Sequence, residues 1–227
     1  MRLLSIVTVS VICIFYSACH EQEAAIDRIV KVLANKTGDS SSRIMSEYYK
    51  EGSISLELFR RRVSSLHLPS LTEGKEGFQL RVWDDKFNNT GLVIILDYSG
   101  DQWSAKGFRY KAYSSDGNWP DSLAGPEISL GQPLSGWDNF MNTLLDYKIL
   151  ELRDYTEIPG YFESTDMTGP SVEIAGHKYF RYYELPEPKY QSGKIDDAKS
   201  MLKILEIIKK EFPGWQIQFP SLPSKIN

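Results

Sequence analysis

Residues 78–113, FQLRVWDDKFNNTGLVIILDYSGDQWSAKGFRYKAY, decide the fold. Phe78, Leu80 and Val82 alternate with Gln79, Arg81 and Trp83, the period of two that a strand imposes because successive side chains leave on opposite faces. Residues 92–96, Leu-Val-Ile-Ile-Leu, form a second run rich in β-branched residues, which suit a pleated surface. Asp84-Asp85 and Asn88-Asn89-Thr90-Gly91 supply turn chemistry between the two runs. The second run passes through Asp97-Tyr98-Ser99-Gly100-Asp101 into a third, over about 103–113, in which Phe108, Tyr110 and Ala112 are spaced by two. Connections this short join only antiparallel neighbours, so the stretch predicts a three-strand meander.

Downstream, residues 114–136 are rich in Gly, Pro and Asp and read as a long loop or a bulky excursion over one sheet edge. Trp137, Phe140, Met141, Leu144 and Leu145 mark a helix over about 135–147. A hairpin follows: Val172-Glu173-Ile174, a turn at Ala175-Gly176-His177, then residues 179–183. The last helix carries Ile195, Ala198, Met201, Leu202, Leu205 and Ile208 at spacings of three and four. Asp196 and Asp197 lie near its positive end and Lys209-Lys210 near its negative end, and Pro213-Gly214 stops it.

Upstream, Ile26, Ile29, Val30 and Leu33 recur at helical spacing over 21–35, and a breaking string follows from Thr37 to Ser42; the reading is a short helix packed on the body, then a linker. Over 43–70, Ile44, Met45, Tyr48 and Tyr49 share a helical face, while Ile54, Leu56 and Leu58 alternate like a strand. Arg60-Arg61-Arg62 reads as a solvated edge or helix face. The expected architecture is α+β: an antiparallel sheet, made of the three-strand meander plus the hairpin, with helices on one face.

The first residues are of another kind. Met1 and Arg2 lead into the apolar run 3–16, which closes on Ser17-Ala18-Cys19. A cationic start, an apolar segment short for a membrane span and small residues before a cleavage point read as a secretory leader. Its end resembles the lipobox of bacterial lipoproteins, with Tyr16 where the family usually has Leu. The resemblance implies cleavage after Ala18 and acyl chains on Cys19, where two or three chains make release from a membrane very slow. It implies a bacterial cell-envelope protein held by lipid, at the outer membrane. His20-Glu21-Gln22-Glu23 resembles the surface-export signal of some Bacteroidetes lipoproteins, and Asp121-Ser122-Leu123 the O-glycosylation acceptor of that group. The chain is thus divided into a signal peptide (1–18), an anchor with short helix and linker (19–42), and a single α+β domain (43–227).

Cys13 lies in the leader and Cys19 carries the lipid, so no thiol pair is expected in the body, and stability rests on a core. The 26 basic and 30 acidic residues give a net charge of −4, which disfavours nucleic acid as a partner and a basic face as the means of membrane attachment.

Signals for catalysis are sparse. There is no G-x-S-x-G elbow for a nucleophile and no phosphate-binding loop. His20, His67 and His177 stand alone rather than at metal-ligand intervals, so neither a metal nor another cofactor is expected. Asp97 to Asp101 reads as a turn rather than a calcium loop. Asp84, Asp85, Glu163 and Asp166 offer loop carboxylates for glycoside hydrolysis, with no pattern that singles out a pair.

Aromatic residues carry the binding signal. Trp83, Trp103, Trp137 and Trp215 fit core packing, whereas Trp119, in a Gly-Asn-Trp-Pro-Asp loop with Tyr113 nearby, is the candidate contact for a partner. The expectation is a lipid-anchored, non-catalytic module for a protein or glycan partner. A carboxylate-dependent hydrolase of polysaccharide and an immunity lipoprotein that neutralises a toxin are the alternatives.

Overall fold

The computed structural model describes residues 24–37, 42–46, 49–86, 89–113, 122–161 and 168–216. The meander forms as the alternation requires. Strands β2 (Phe78–Lys86), β3 (Thr90–Ser99) and β4 (Gln102–Tyr113) pair antiparallel, with Leu80 opposite Leu96 and Leu96 opposite Ala105. Gly100 and Asp101 join β3 to β4 with φ of 55° and 59°, the left-handed pair that a two-residue hairpin turn needs to match strand twist. The hairpin also forms, as β7 (Pro170–Gly176) and β8 (Tyr179–Glu184), and β7 pairs antiparallel with β2.

The sheet is larger than a meander plus a hairpin. Among the described residues it has eight strands in the order β1-β8-β7-β2-β3-β4-β5, with β6 also paired to β4. Strand β1 (Ser42–Ile44) runs parallel to β8, and β5 (Ser122–Ala124) and β6 (Glu127–Leu130) both pair with β4. The segment read as a long loop or an excursion over one sheet edge thus spends part of its length satisfying the outer edge of β4, whose amides would otherwise lack partners.

Helices cover both faces, which corrects the one-sided arrangement expected from sequence. Helices α1 (Ala25–Thr37), α3 (Trp137–Asp146) and α5 (Asp196–Glu211) lie on the face made by Phe78, Leu80, Val82, Ile94 and Leu96. Ala25, Ile29 and Leu33 bury α1 against this core, so the first helix packs on the body. A short helix, α4 (Pro188–Gln191), precedes α5. No described helix is long and apolar enough to cross a membrane.

The opposite face is covered by α2 (Ile54–Ser65), where an alternating strand was expected. Five alternating residues are outweighed by a longer helical signal: Leu56, Phe59 and Val63 are all buried at spacings of three and four. Ser53 caps the helix, its hydroxyl accepting the Leu56 amide at 3.1 Å. The chain then runs through Leu66, Leu68 and Leu71, all buried on the same face.

Candidate functional site

The face under α2 holds a polar belt, and its origin lies in the alternation of β2. Phe78, Leu80 and Val82 take the apolar face, so Gln79, Arg81, Trp83 and Asp85 must take the other. Because α2 and residues 66–71 cover much of that face, these side chains find partners inside the protein rather than in water.

Arg81 is the centre of the belt and is fully buried. Its Nε donates to Gln79 Oε1 at 2.8 Å, its Nη1 to Glu173 Oε2 at 3.2 Å, and its Nη2 to the Pro69 carbonyl at 2.7 Å. The other oxygen of Glu173 accepts the Trp83 indole N–H at 2.7 Å. Burial pushes the Glu173 carboxyl above the usual carboxylate range, and Arg81 and the indole pull it back. Gln79 passes the network on, its amide donating to Asp97, which also takes Lys75 Nζ at 3.0 Å.

Arg62 joins the belt from α2. Of the three consecutive arginines, Arg60 and Arg61 face water and pair with Glu51 and Glu57, as a solvated helix face should. Arg62 turns inward, with 16% of its side chain exposed. Its guanidinium carbon sits 3.8 Å from the Trp83 ring centroid, Nη1 meets Asp85 Oδ2 at 2.8 Å and Nη2 reaches Ser171 Oγ at 3.4 Å. Its Nε is buried without a hydrogen-bond partner among the described residues. Burial opposes the charge, but Asp85, Tyr110, Tyr182 and Glu184 outweigh it and hold Arg62 above the usual arginine value. Tyr110 donates to the same carboxylate, Asp85 Oδ1. Tyr182 donates to Glu184, with the Tyr49 hydroxyl 3.4 Å from that of Tyr182, and burial raises the Glu184 carboxyl against these hydrogen bonds.

Next to the belt the cover stops short and leaves a groove of about 390 Å³. Leu68, Pro69 and Ile95 give it apolar walls; Lys75, Gln79, Arg81, Asp97, Ser104 and Lys106 give it polar groups. Strand register sets these out as a grid. Arg81, Ile95 and Lys106 lie in one cross-strand row, and Gln79, Asp97 and Ser104 in the next.

Sequence and structure select different residues here. Trp119 and Cys19 lie outside the described residues, as do His20, Glu163 and Asp166. Tyr113 ends β4, half-buried, with Lys111 Nζ 5.6 Å from its ring. Asp84 and Asp85, read as turn residues, are part of β2. His67 and His177 are exposed, and His177 meets Glu76 at 3.3 Å. Trp83 is fully buried, and Trp103 stacks on Trp137 with ring centroids 5.5 Å apart. Among the described residues no group of three or more His, Cys, Asp or Glu could hold a metal ion.

Arg62 could have been found from sequence once α2 is read as a helix, since it lies three residues after Phe59, at the margin of the buried stripe. Glu173, a single carboxylate in a strand, carries no local signal. Comparison with protein-family models, with curated proteins and with solved structures finds no match to this chain.

Proposed function

We propose that the protein is a lipid-anchored cell-envelope module that binds a protein or glycan partner and performs no catalysis. One observation supports this reading above the others: the groove beside the belt is preformed. Its floor is Arg81, fixed by three hydrogen bonds, and its side is Asp97, fixed by Gln79 and Lys75. Rigid polar groups around an apolar patch recognise a ligand without ordering themselves on binding. In this reading the leader over residues 1–18 supplies the address and Cys19, which follows it, the anchor.

Two measurements test the reading. Expressed in a bacterial host, the native chain should take up labelled palmitate and sediment with membranes, and Cys19→Ala should abolish both. The purified lipoprotein in detergent, screened against envelope glycan fragments and secreted proteins, should bind at least one saturably without converting it. A soluble, unlabelled native chain, or turnover of a bound glycan, would overturn it.

A second reading, a carboxylate-dependent hydrolase, is favoured by one arrangement. Asp85 and Glu184 both act on the Arg62 guanidinium, and burial raises the Glu184 carboxyl. Hydrolysis of an envelope polysaccharide that is lost in both Asp85→Asn and Glu184→Gln would establish it in place of the first.

A further inference from the structure

Resting on the binding reading above, we infer that the groove beside α2 takes an acidic saccharide, with the sugar carboxylate held at Lys106 and the hydroxyls by Asp97, Ser104 and Gln79. The first argument is charge. The lining carries Lys75, Arg81 and Lys106 beside Asp97; Glu173 neutralises Arg81 and Asp97 neutralises Lys75, so Lys106, whose partner Glu127 stands outside the lining, is the cation that can meet a ligand anion.

The second argument separates the three cations. Arg81 is buried and committed to Gln79, Glu173 and Pro69, so it shapes the floor. Lys75 is mostly shielded and bound to Asp97. Lys106 is different: it is 44% exposed and its partner Glu127 is 52% exposed, at 3.1 Å. Exposed ion pairs contribute little, so a ligand carboxylate can replace Glu127 with little loss.

Asp97 gives the third argument. Its carboxylate repels a compact polyanion, whereas a carboxylate at a groove wall readily accepts hydroxyl groups. Ser104, beside it on β4, and Gln79, beside it on β2, add a hydroxyl and an amide. The ligand that satisfies all of these has its anion at one end and hydroxyls at the other. Arg81 and Lys106 are two strand spacings apart, roughly 10 Å, which accommodates one sugar ring over Ile95.

The test uses the full chain in detergent micelles and calorimetric titration with a glucuronate-containing disaccharide, its uncharged glucose counterpart and inorganic phosphate. The acidic sugar should bind, the neutral sugar about tenfold more weakly, and phosphate not at all. Lys106→Glu should lower affinity for the acidic sugar by about tenfold or more, while Lys106→Arg retains it. Lys106 lies at the surface, and equal melting temperatures of the variants confirm that folding is unchanged. Absence of acidic-sugar binding, equal affinity for the two sugars, or an unchanged affinity in Lys106→Glu would overturn the inference. If another partner binds while the groove variants are silent, the inference fails and the binding reading stands. If nothing binds, both fail.

Discussion

The guanidinium of Arg62 lies over the face of Trp83, 3.8 Å from the ring centroid, while the edge of the same indole donates its N–H to Glu173 at 2.7 Å. One aromatic side chain thus connects a helix on one side of the belt to a carboxylate in the sheet. Arg62→Ala removes the cation–π contact and leaves Asp85, 31% exposed, with Tyr110 as its remaining partner. The expected loss is about 2 kcal/mol, below that of a fully buried pair because Asp85 retains some contact with water. Arg60→Ala, at an exposed pair, should leave the denaturation midpoint unchanged. Urea titration followed by tryptophan fluorescence compares the two.

Glu173→Gln leaves the fully buried Arg81 without its direct ion-pair partner, and the expected cost is about 3–5 kcal/mol. Arg81→Met combined with Glu173→Leu removes both charges and should recover most of that stability, although Trp83 and Gln79 each lose a partner. Chemical denaturation of the two single variants and the double variant measures the coupling.

Stability should depend on pH through Glu184. Its folded-state carboxyl is raised by burial, so its contribution is fully present below the unfolded value of 4.5 and is lost as pH rises through the higher folded value. Glu184→Gln keeps an acceptor for Tyr182 and cannot ionise. It should therefore melt higher than the parent at pH 8, by about 2–4 °C for a gain near 1 kcal/mol, with the difference vanishing near pH 4.5. Glu173 follows the same sign, so the variant should keep some pH dependence of its own. Calorimetric melts at several pH values check this.

Gly91 faces the ring of Tyr110, and a Cβ built on it would lie 2.4 Å from that ring. Gly91→Ala should displace the ring, separate Tyr110 from Asp85 and cost about 1–3 kcal/mol. A spectral shift of the tyrosine accompanying the lower melting temperature would identify that movement, whereas an unperturbed tyrosine would rule it out.

Ser53→Ala tests why residues 54–65 are helical. Loss of the cap to the Leu56 amide should cost about 1 kcal/mol, and Ser53→Asp should restore it. Thermal denaturation followed by far-ultraviolet circular dichroism reads both.

The sequence by itself determined the elements in which a local period is long and undisturbed. The meander, the β7–β8 hairpin, α3 and α5 follow from side-chain alternation and helical spacing, because those periods are set by backbone geometry within each segment. The order of residues 1–19 also carries the resemblance to a lipoprotein leader on which the proposed anchor rests. Tertiary structure alone decided what the polar face of β2 does. Gln79, Arg81 and Asp85 look like residues facing water, and they become an internal network because α2 and the chain after it are laid over them. Glu173 reaches Arg81 from 92 positions away, and Lys106 shares a groove with Lys75 only because β2, β3 and β4 are in register. No local pattern encodes such meetings: burial and charge pairing depend on which surfaces the folded chain brings together, and that is a property of the whole packing.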